Sequence, residues 1–153
     1  MRFMVLLKSS PENEALAQLD DKAKESMDHM RDYIQDLAKA GVFVAAEGLH
    51  PSKDGARIVF TKEGKKVIDG PFAEAKELIA GYWILECKSL EECIEWAKRA
   101  PLYTDSTYSD GVAQLEIRQI WGEEDFDQEF NAALNEHEAE TARLMEESAA
   151  SAH

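Results

Sequence analysis

Cysteine and long hydrophobic runs are both scarce in this sequence. Its 153 residues include two cysteines, Cys87 and Cys93, whose spacing does not fit a C-x-x-C motif. Two thiols are too few for a disulfide scaffold, so we expect both to pack as small hydrophobic side chains. The N-terminal segment RFMVLL has six residues before a lysine, which is too short for a membrane span or a signal peptide. These absences predict a cytoplasmic protein with reduced thiols.

Basic residues are also few relative to acidic ones. The chain has 17 Lys and Arg residues against 31 Asp and Glu residues, a net charge of −14. Because phosphate-rich partners need a basic surface, this balance argues against nucleic acid as the main ligand and equally against a polybasic membrane-binding site, so we expect neither partner. Residues 122–153 hold ten acidic residues and a single basic one, Arg143. We therefore expect one domain over residues 1–121, followed by an acidic helical tail over 122–153.

The motifs that usually mark nucleotide or hydrolase sites are missing. The sequence has no G-x-G-x-x-G, no G-K-[ST] and no G-x-S-x-G. Its histidines, cysteines and carboxylates do not fall at metal-ligand spacing. We therefore expect neither a cofactor nor a metal.

The apolar pattern predicts strands and helices in the order βαβ, hairpin, βαβ, helix. The predicted strands are 2–8, 42–49, 81–89 and 112–121, the helices are 14–40, 89–101 and 124–147, the hairpin is 56–69 with a KEGK turn, and 9–13 is a loop. Two helices on a mostly antiparallel sheet form the ferredoxin-like α+β arrangement, βαββαβ, here with an inserted hairpin and a C-terminal helix. One face of such a sheet carries no helix, so we expect a homodimer that covers it.

Four segments in register resemble one known family. They are AGVFVAAEGL (40–49), KVIDGPFAEAKELIAG (66–81), GYWILE (81–86) and 91–101, and the D-G-P-F tetrapeptide occupies 69–72. This pattern is similar to the DGPF subgroup of the YCII-related (YciI-like) proteins, and it covers about residues 1–121. The resemblance implies a ferredoxin-like fold that pairs into a dimeric α+β barrel.

The family resemblance leaves the function open between two classes. It implies either a small-molecule binding protein or acid–base enzyme with a cleft near the DGPF loop, or an accessory protein of the sigma-factor-associated type. The family also implies a His–Asp pair, but the corresponding positions here are Met30 and Ala100. Neither side chain exchanges a proton, so we do not transfer that pair to this chain.

Two carboxylates are the candidate catalytic residues. Asp69 lies in a turn restricted by Gly70 and Pro71, where it would act as a general base, a ligand anchor or a simple turn cap. Glu47 follows the apolar segment VFVAA, and an inward orientation would raise its pKa and suit acid–base work. Its alternative is a surface glutamate or an ion pair with Arg57. An enzyme should bring both carboxylates to one pocket.

Further side chains are candidates for ligand binding. Phe72, Tyr82 and Trp83 bracket the loop and would line an apolar pocket or pack in the core, and only one of the last two can face the helices. Arg57 and Lys76 are candidate cations for an acidic ligand. His29 on the long helix is a candidate proton carrier or a surface histidine. An accessory protein would instead expose apolar residues over 126–145, where the tail could brace its own domain, cross to the partner subunit or bind another protein.

Overall fold

The computed structural model describes residues 1–15, 21–102 and 111–151. Its helices are α1 (Pro11–Ala15), α2 (Asp21–Lys39), α3 (Leu90–Ala97) and α4 (Gln128–Ser151), and its strands are β1 (Arg2–Lys8), β2 (Phe43–Gly48), β3 (Ala56–Thr61), β4 (Gly64–Asp69), β5 (Ile79–Glu86) and β6 (Leu115–Gln119). The chain divides into two compact units, and the second begins at Trp121.

The main sheet has four antiparallel strands in the order β2-β5-β1-β6. Strand β1 is central because its apolar residues pair on both sides, with β5 and with β6. This is the ferredoxin-like strand order, so the α+β fold predicted from the sequence is confirmed. Strands β3 and β4 form a separate two-stranded sheet, which confirms the inserted hairpin.

The core lies between the helices and one face of the sheet. Strand alternation directs Phe3 and Val5 of β1 and Trp83 and Leu85 of β5 to this side, and all four are buried. Leu37 of α2 and Cys93 of α3 are also buried, and both belong to the same cluster. The ring of Tyr33 meets Trp83 edge to face, with centroids 6.1 Å apart, and its hydroxyl donates to the carbonyl oxygen of Trp96 at 2.8 Å.

Helix α3 is held at its start by Ser89, as the S-x-x-E spacing predicts. The Ser89 Oγ accepts a hydrogen bond from the Glu92 N–H at 3.2 Å. The Glu92 carboxylate accepts from the N–H of Lys88, not from that of Ser89. The helix ends at Ala97, four residues before Pro101.

The chain begins its first helix earlier than the sequence predicted. The segment 9–13 was expected to be a loop, but α1 begins at Pro11. Ser10 caps it by accepting the N–H of Asn13 at 3.2 Å, and proline suits the first helical position. The predicted helix 14–40 corresponds to the end of α1 and to α2; residues 16–20 lie outside the described chain.

The second unit begins with an aromatic cluster and continues as α4. The ring centroids of Trp121 and Phe126 are 5.7 Å apart, and those of Phe126 and Phe130 are 4.7 Å apart in a stacked arrangement. Helix α4 extends to Ser151, four residues beyond its predicted end. No helix in the described ranges is long and apolar enough to cross a bilayer.

Candidate functional site

The DGPF segment packs tightly against the turn that precedes the hairpin. Asp69 ends β4 opposite Ala56, and the next residue, Gly70, donates its N–H to the carbonyl oxygen of Gly55 at 3.0 Å. A Cβ atom on Gly70 would collide with the carbonyl oxygen of Ser52. The backbone can approach this closely only because position 70 is glycine. The Gly70–Pro71 peptide bond is cis.

A carboxylate from α1 holds this turn in place. Glu14 accepts hydrogen bonds from the N–H of Ser52 at 2.9 Å, from Ser52 Oγ at 2.5 Å and from Ser9 Oγ at 3.0 Å. The Ser52 Oγ in turn accepts the N–H of Phe72 at 3.0 Å. We call these four residues the Glu14 network. Its bonds link α1, the turn before the hairpin and the DGPF segment.

The ionised form of Glu14 is favoured by these bonds. Burial acts to raise the pKa of Glu14, but the hydrogen bonds from Ser52 and Ser9 outweigh it, so the pKa is lowered from its ordinary 4.5. The network therefore contains a carboxylate that is charged at neutral pH and committed to structural donors. This describes a positioning group, not a proton carrier.

The two candidate acids, Asp69 and Glu47, belong to different sheets. Both side chains are exposed. Glu47 pairs with Tyr82 across β2 and β5, on the sheet face that points away from the helices. Neither carboxylate lines the small pocket or the larger groove described below.

The candidate aromatic residues separate into different environments. Phe72 is half-buried, and the Arg57 guanidinium lies 4.1 Å from its ring centroid. Alternation along β5 leaves Tyr82 half-buried on the open face and places Trp83 in the core. Tyr82 is therefore the member of the pair that remains available to a ligand or a partner on the open face.

A small pocket brings together two lysines and two serines. Its volume is about 80 Å³, and its lining consists of Lys8, Ser9, Ser10, Pro11, Lys76, Val112 and Gln114. Lys8 lies 3.9 Å from the carboxylate of Glu116 and keeps only a fifth of its side chain exposed. Lys76 comes from the segment that follows the DGPF tetrapeptide. Two lysines thus meet at this pocket, one of them beside the Glu116 carboxylate, in a molecule that is otherwise strongly acidic.

A larger groove includes Ala100, one of the two positions that correspond to the family's His–Asp pair, but Met30 is not among its lining residues. Its volume is about 300 Å³, and it is lined by Ile94, Ala97, Lys98, Ala100, Leu102, Ala113, Leu115 and Ile117. Met30 packs against the core, and His29 beside it is half-buried on α2. The groove wall is almost wholly apolar, so it offers no acid–base pair.

The titratable groups of the core, Tyr33, Cys87 and Cys93, are protonated and neutral at neutral pH. Burial raises the pKa of Tyr33 and that of Cys93, each to about 12, and it also raises the pKa of Cys87. None of these groups is ionised at neutral pH. No three side chains of the metal-ligating types lie together within the described ranges.

Sequence reasoning missed the Glu14 network and the role of Lys8. The signal for Glu14 was the Ser10–Pro11 pair, which marks a helix start and fixes where the following residues point. Ser52 lies 38 positions further along the chain, and no local pattern connects the two. From the sequence, Lys8 is only the end of a strand, because the pocket beside it forms only when three chain segments meet.

Comparison with known proteins settles the family. A model of the YCII-related domain matches residues 1–119. The chain belongs to the YCII-related domain family. The YCII-related protein is 31% identical to an uncharacterised protein of Rhizobium meliloti (strain 1021) over 87 residues, which are 57% of this chain and 67% of the relative. The narrower DGPF subgroup stays a prediction.

One solved structure also matches the YCII-related protein at low similarity. It is 5-chloro-2-hydroxyhydroquinone dehydrochlorinase from Burkholderia phenoliruptrix AC1100, in complex with 2,5-dihydroxybenzoquinone. The two chains are 12% identical, the match covers 83% of this chain and 100% of the other, and the TM-score is 0.43. At that distance we draw nothing from the dehydrochlorinase about the present chain.

Proposed function

We propose that this YCII-related protein binds a small organic acid, with the carboxylate of the ligand in the pocket between Lys8 and Lys76. The pocket itself supports the proposal, because it combines two lysines with the hydroxyl of Ser10, whereas the hydroxyl proton of Ser9 is donated to Glu14. Charged hydrogen bonds to a carboxylate are about twice as strong as neutral ones. The site therefore favours a carboxylate over a neutral group.

The pocket volume limits which part of the ligand enters. By the same measure a single water molecule needs about 10–15 Å³, so about 80 Å³ admits a group of several heavy atoms, such as a carboxylate and the carbon next to it. The rest of the ligand would extend from the mouth of the pocket. In this proposal the Glu14 network positions Ser9 and the DGPF segment and does not itself exchange protons.

The proposal concerns ligand binding and does not include acid–base catalysis. Asp69 and Glu47 stay candidates for proton transfer, but they are exposed and neither lines the pocket. Binding without turnover needs only the two lysines and the Ser10 hydroxyl.

The assembly in which this site works is proposed to be a homodimer. The open sheet face presents Met4, Leu6, Tyr82 and Ile84, which the strand register aligns and which are half-buried. The charged pair of Lys8 and Glu116 borders them, and Glu47 stands at the other side. An apolar centre with a charged rim is the usual arrangement of an interface.

The alternative function is an accessory protein that acts through protein contacts. Its support is the exposed apolar side chains of α4 and the segment before it, such as Phe130 and Met145. Those side chains mark a binding surface without selecting a transcription factor as its partner. We therefore place the organic-acid site first.

Benzoate titration followed by amide NMR tests the binding site. We expect shifts at Ser9, Ser10 and Gln114, and we expect Lys76→Gln to weaken binding about tenfold or more, because it removes a charged hydrogen bond of about 1.5–3 kcal/mol. The matched control is Lys39→Gln, which removes a lysine from the exposed end of α2 and should leave affinity unchanged. Shifts that survive in Lys76→Gln would reject this site.

A further inference from the structure

The β3–β4 hairpin is a two-stranded sheet with all of its residues exposed. The register places Ile58, Phe60 and Val67 on one face, where they are 54%, 70% and 61% exposed. A lone two-stranded sheet is marginally stable in water and needs packing against another element. We therefore expect this face, the hairpin face, to be covered in the working assembly.

The charge around the hairpin face defines what can cover it. Residues 56–68 contain four basic residues and one acidic residue, in a chain whose net charge is −14. Lys65 stands opposite Phe60, with its ammonium 5.4 Å from the ring centroid, and Lys62 lies in the turn beside it. A matching surface must bring apolar side chains together with negative charge. A second copy of the hairpin brings positive charge and does not match.

The acidic helix α4 has the required composition. Its apolar residues Phe130, Leu134, Leu144 and Met145 recur at helical spacing, and they are 38–68% exposed. Glu138 and Glu140 flank this stripe, about 80° to either side of its centre at 100° per residue. The one basic residue of α4, Arg143, lies within 4.0 Å of Glu140 and 3.8 Å of Glu147. The stripe of α4 therefore presents apolar contact area with several glutamates along one side and Glu138 on the other.

The dimensions of the two surfaces also agree. A six-residue strand is about 20 Å long at about 3.3 Å per residue. The 24 residues of α4 extend about 36 Å at about 1.5 Å per residue. The strands of the hairpin are therefore shorter than α4, so the whole hairpin face can lie along the helix.

We propose that two copies of this chain exchange these elements, with α4 of each copy packed on the hairpin face of the other. Because both complementary surfaces belong to the same chain, two-fold symmetry satisfies both at once and forms two identical contacts. Glu138 and Glu140 face the lysines at positions 62 and 65. This contact uses neither lysine of the organic-acid pocket, so the test of the dimer contact does not depend on whether the ligand proposal is correct.

Charge exchange between full-length variants tests the proposal. The hairpin variant carries Lys62→Glu and Lys65→Glu, and the helix variant carries Glu138→Lys and Glu140→Lys. Analytical ultracentrifugation over a dilution series measures the dimer dissociation constant of each. Either variant alone opposes like charges, so we expect its dissociation constant to rise about tenfold or more. An equimolar mixture pairs opposite charges again and should regain the affinity of the unmodified chain.

Recovery in the mixture distinguishes a hairpin–helix contact between copies from the same contact within one chain and from a dimer held only by the open sheet face. Only a hairpin and a helix from different chains can be re-paired by mixing. The matched control is Lys24→Glu with Lys88→Glu, which reverses two exposed lysines elsewhere and should leave the dissociation constant unchanged. Phe60→Ser removes apolar area without changing charge and should also weaken the dimer, while circular dichroism confirms that each variant is folded. A monomeric unmodified chain, unaffected variants, or a mixture as weak as its components would overturn the proposal.

Discussion

Glu14 joins three separate segments of the chain through one carboxylate. Its carboxylate oxygens accept hydrogen bonds from the Ser9 hydroxyl, the Ser52 N–H and the Ser52 hydroxyl. The Ser52 hydroxyl oxygen in turn accepts the N–H of Phe72. Removing one partner from such a network leaves the remaining polar groups without hydrogen-bond partners. The position of the DGPF segment therefore depends on a residue far from it in sequence.

Replacement of Glu14 by glutamine should destabilise the protein by about 1–3 kcal/mol, because charged hydrogen bonds are replaced by weaker neutral ones. Its effect should depend on pH. The pKa of Glu14 is lowered in the folded state, so its stabilisation is complete above the ordinary value of 4.5 and is lost as the pH falls through the folded value. Urea unfolding at pH 7 and at successively lower pH measures both effects.

The control for Glu14 is Glu63→Gln, at the exposed tip of the hairpin. It changes the same chemical group without touching the network, so the free energy of unfolding should stay within about 0.5 kcal/mol. An equal loss of stability in both variants would show that general charge, and not the network, accounts for the effect of Glu14→Gln.

The two cysteines should be unreactive while the protein is folded. Both are buried, and burial raises the pKa of Cys93 to about 12 and also raises that of Cys87. Since the thiolate is the reactive species, a thiol reagent at pH 8 should modify neither residue until denaturant is added. Rapid modification of the native protein would contradict this expectation.

At the scale of elements, the hairpin depends on a close backbone approach at Gly70. Substitution of Gly70 by alanine should destabilise the protein by about 1–3 kcal/mol, because the new Cβ would overlap the carbonyl oxygen of Ser52. Gly48→Ala is the matched control, since a Cβ there meets nothing within 4 Å. Thermal unfolding of the two variants measures the difference, and equal melting temperatures would count against the packing seen here.

Local patterns were enough to predict most of the elements. The alternation of Leu115 and Ile117 with Glu116 and Arg118 placed the last strand, and S-x-x-E placed the start of α3. The same patterns missed α1, because a helix of five residues is too short to show periodicity. The capping residue Ser10 is its main sequence signal. The pocket lysines and the Glu14 network were out of reach, since their members are joined by tertiary contacts between distant segments.

At the scale of the whole molecule, the net charge of −14 is a source of internal repulsion. Screening should relieve it, so the melting temperature of dilute protein should rise by a few degrees when ionic strength increases from about 0.01 M to about 0.15 M. Differential scanning fluorimetry at fixed pH measures this change. A melting temperature that falls with salt would show that attractive ion pairs outweigh the repulsion.

The three tryptophans lie in three different surroundings, so their fluorescence can report on different parts of the protein. Trp83 is enclosed in the core against Tyr33, Trp96 lies under the guanidinium of Arg99 at 4.3 Å, and Trp121 is 73% exposed beside Phe126 in the second unit. Single-tryptophan versions of the chain would therefore emit at different wavelengths and quench at different rates. The melting of the sheet domain and that of the acidic tail could then be followed separately, each in its own single-tryptophan variant.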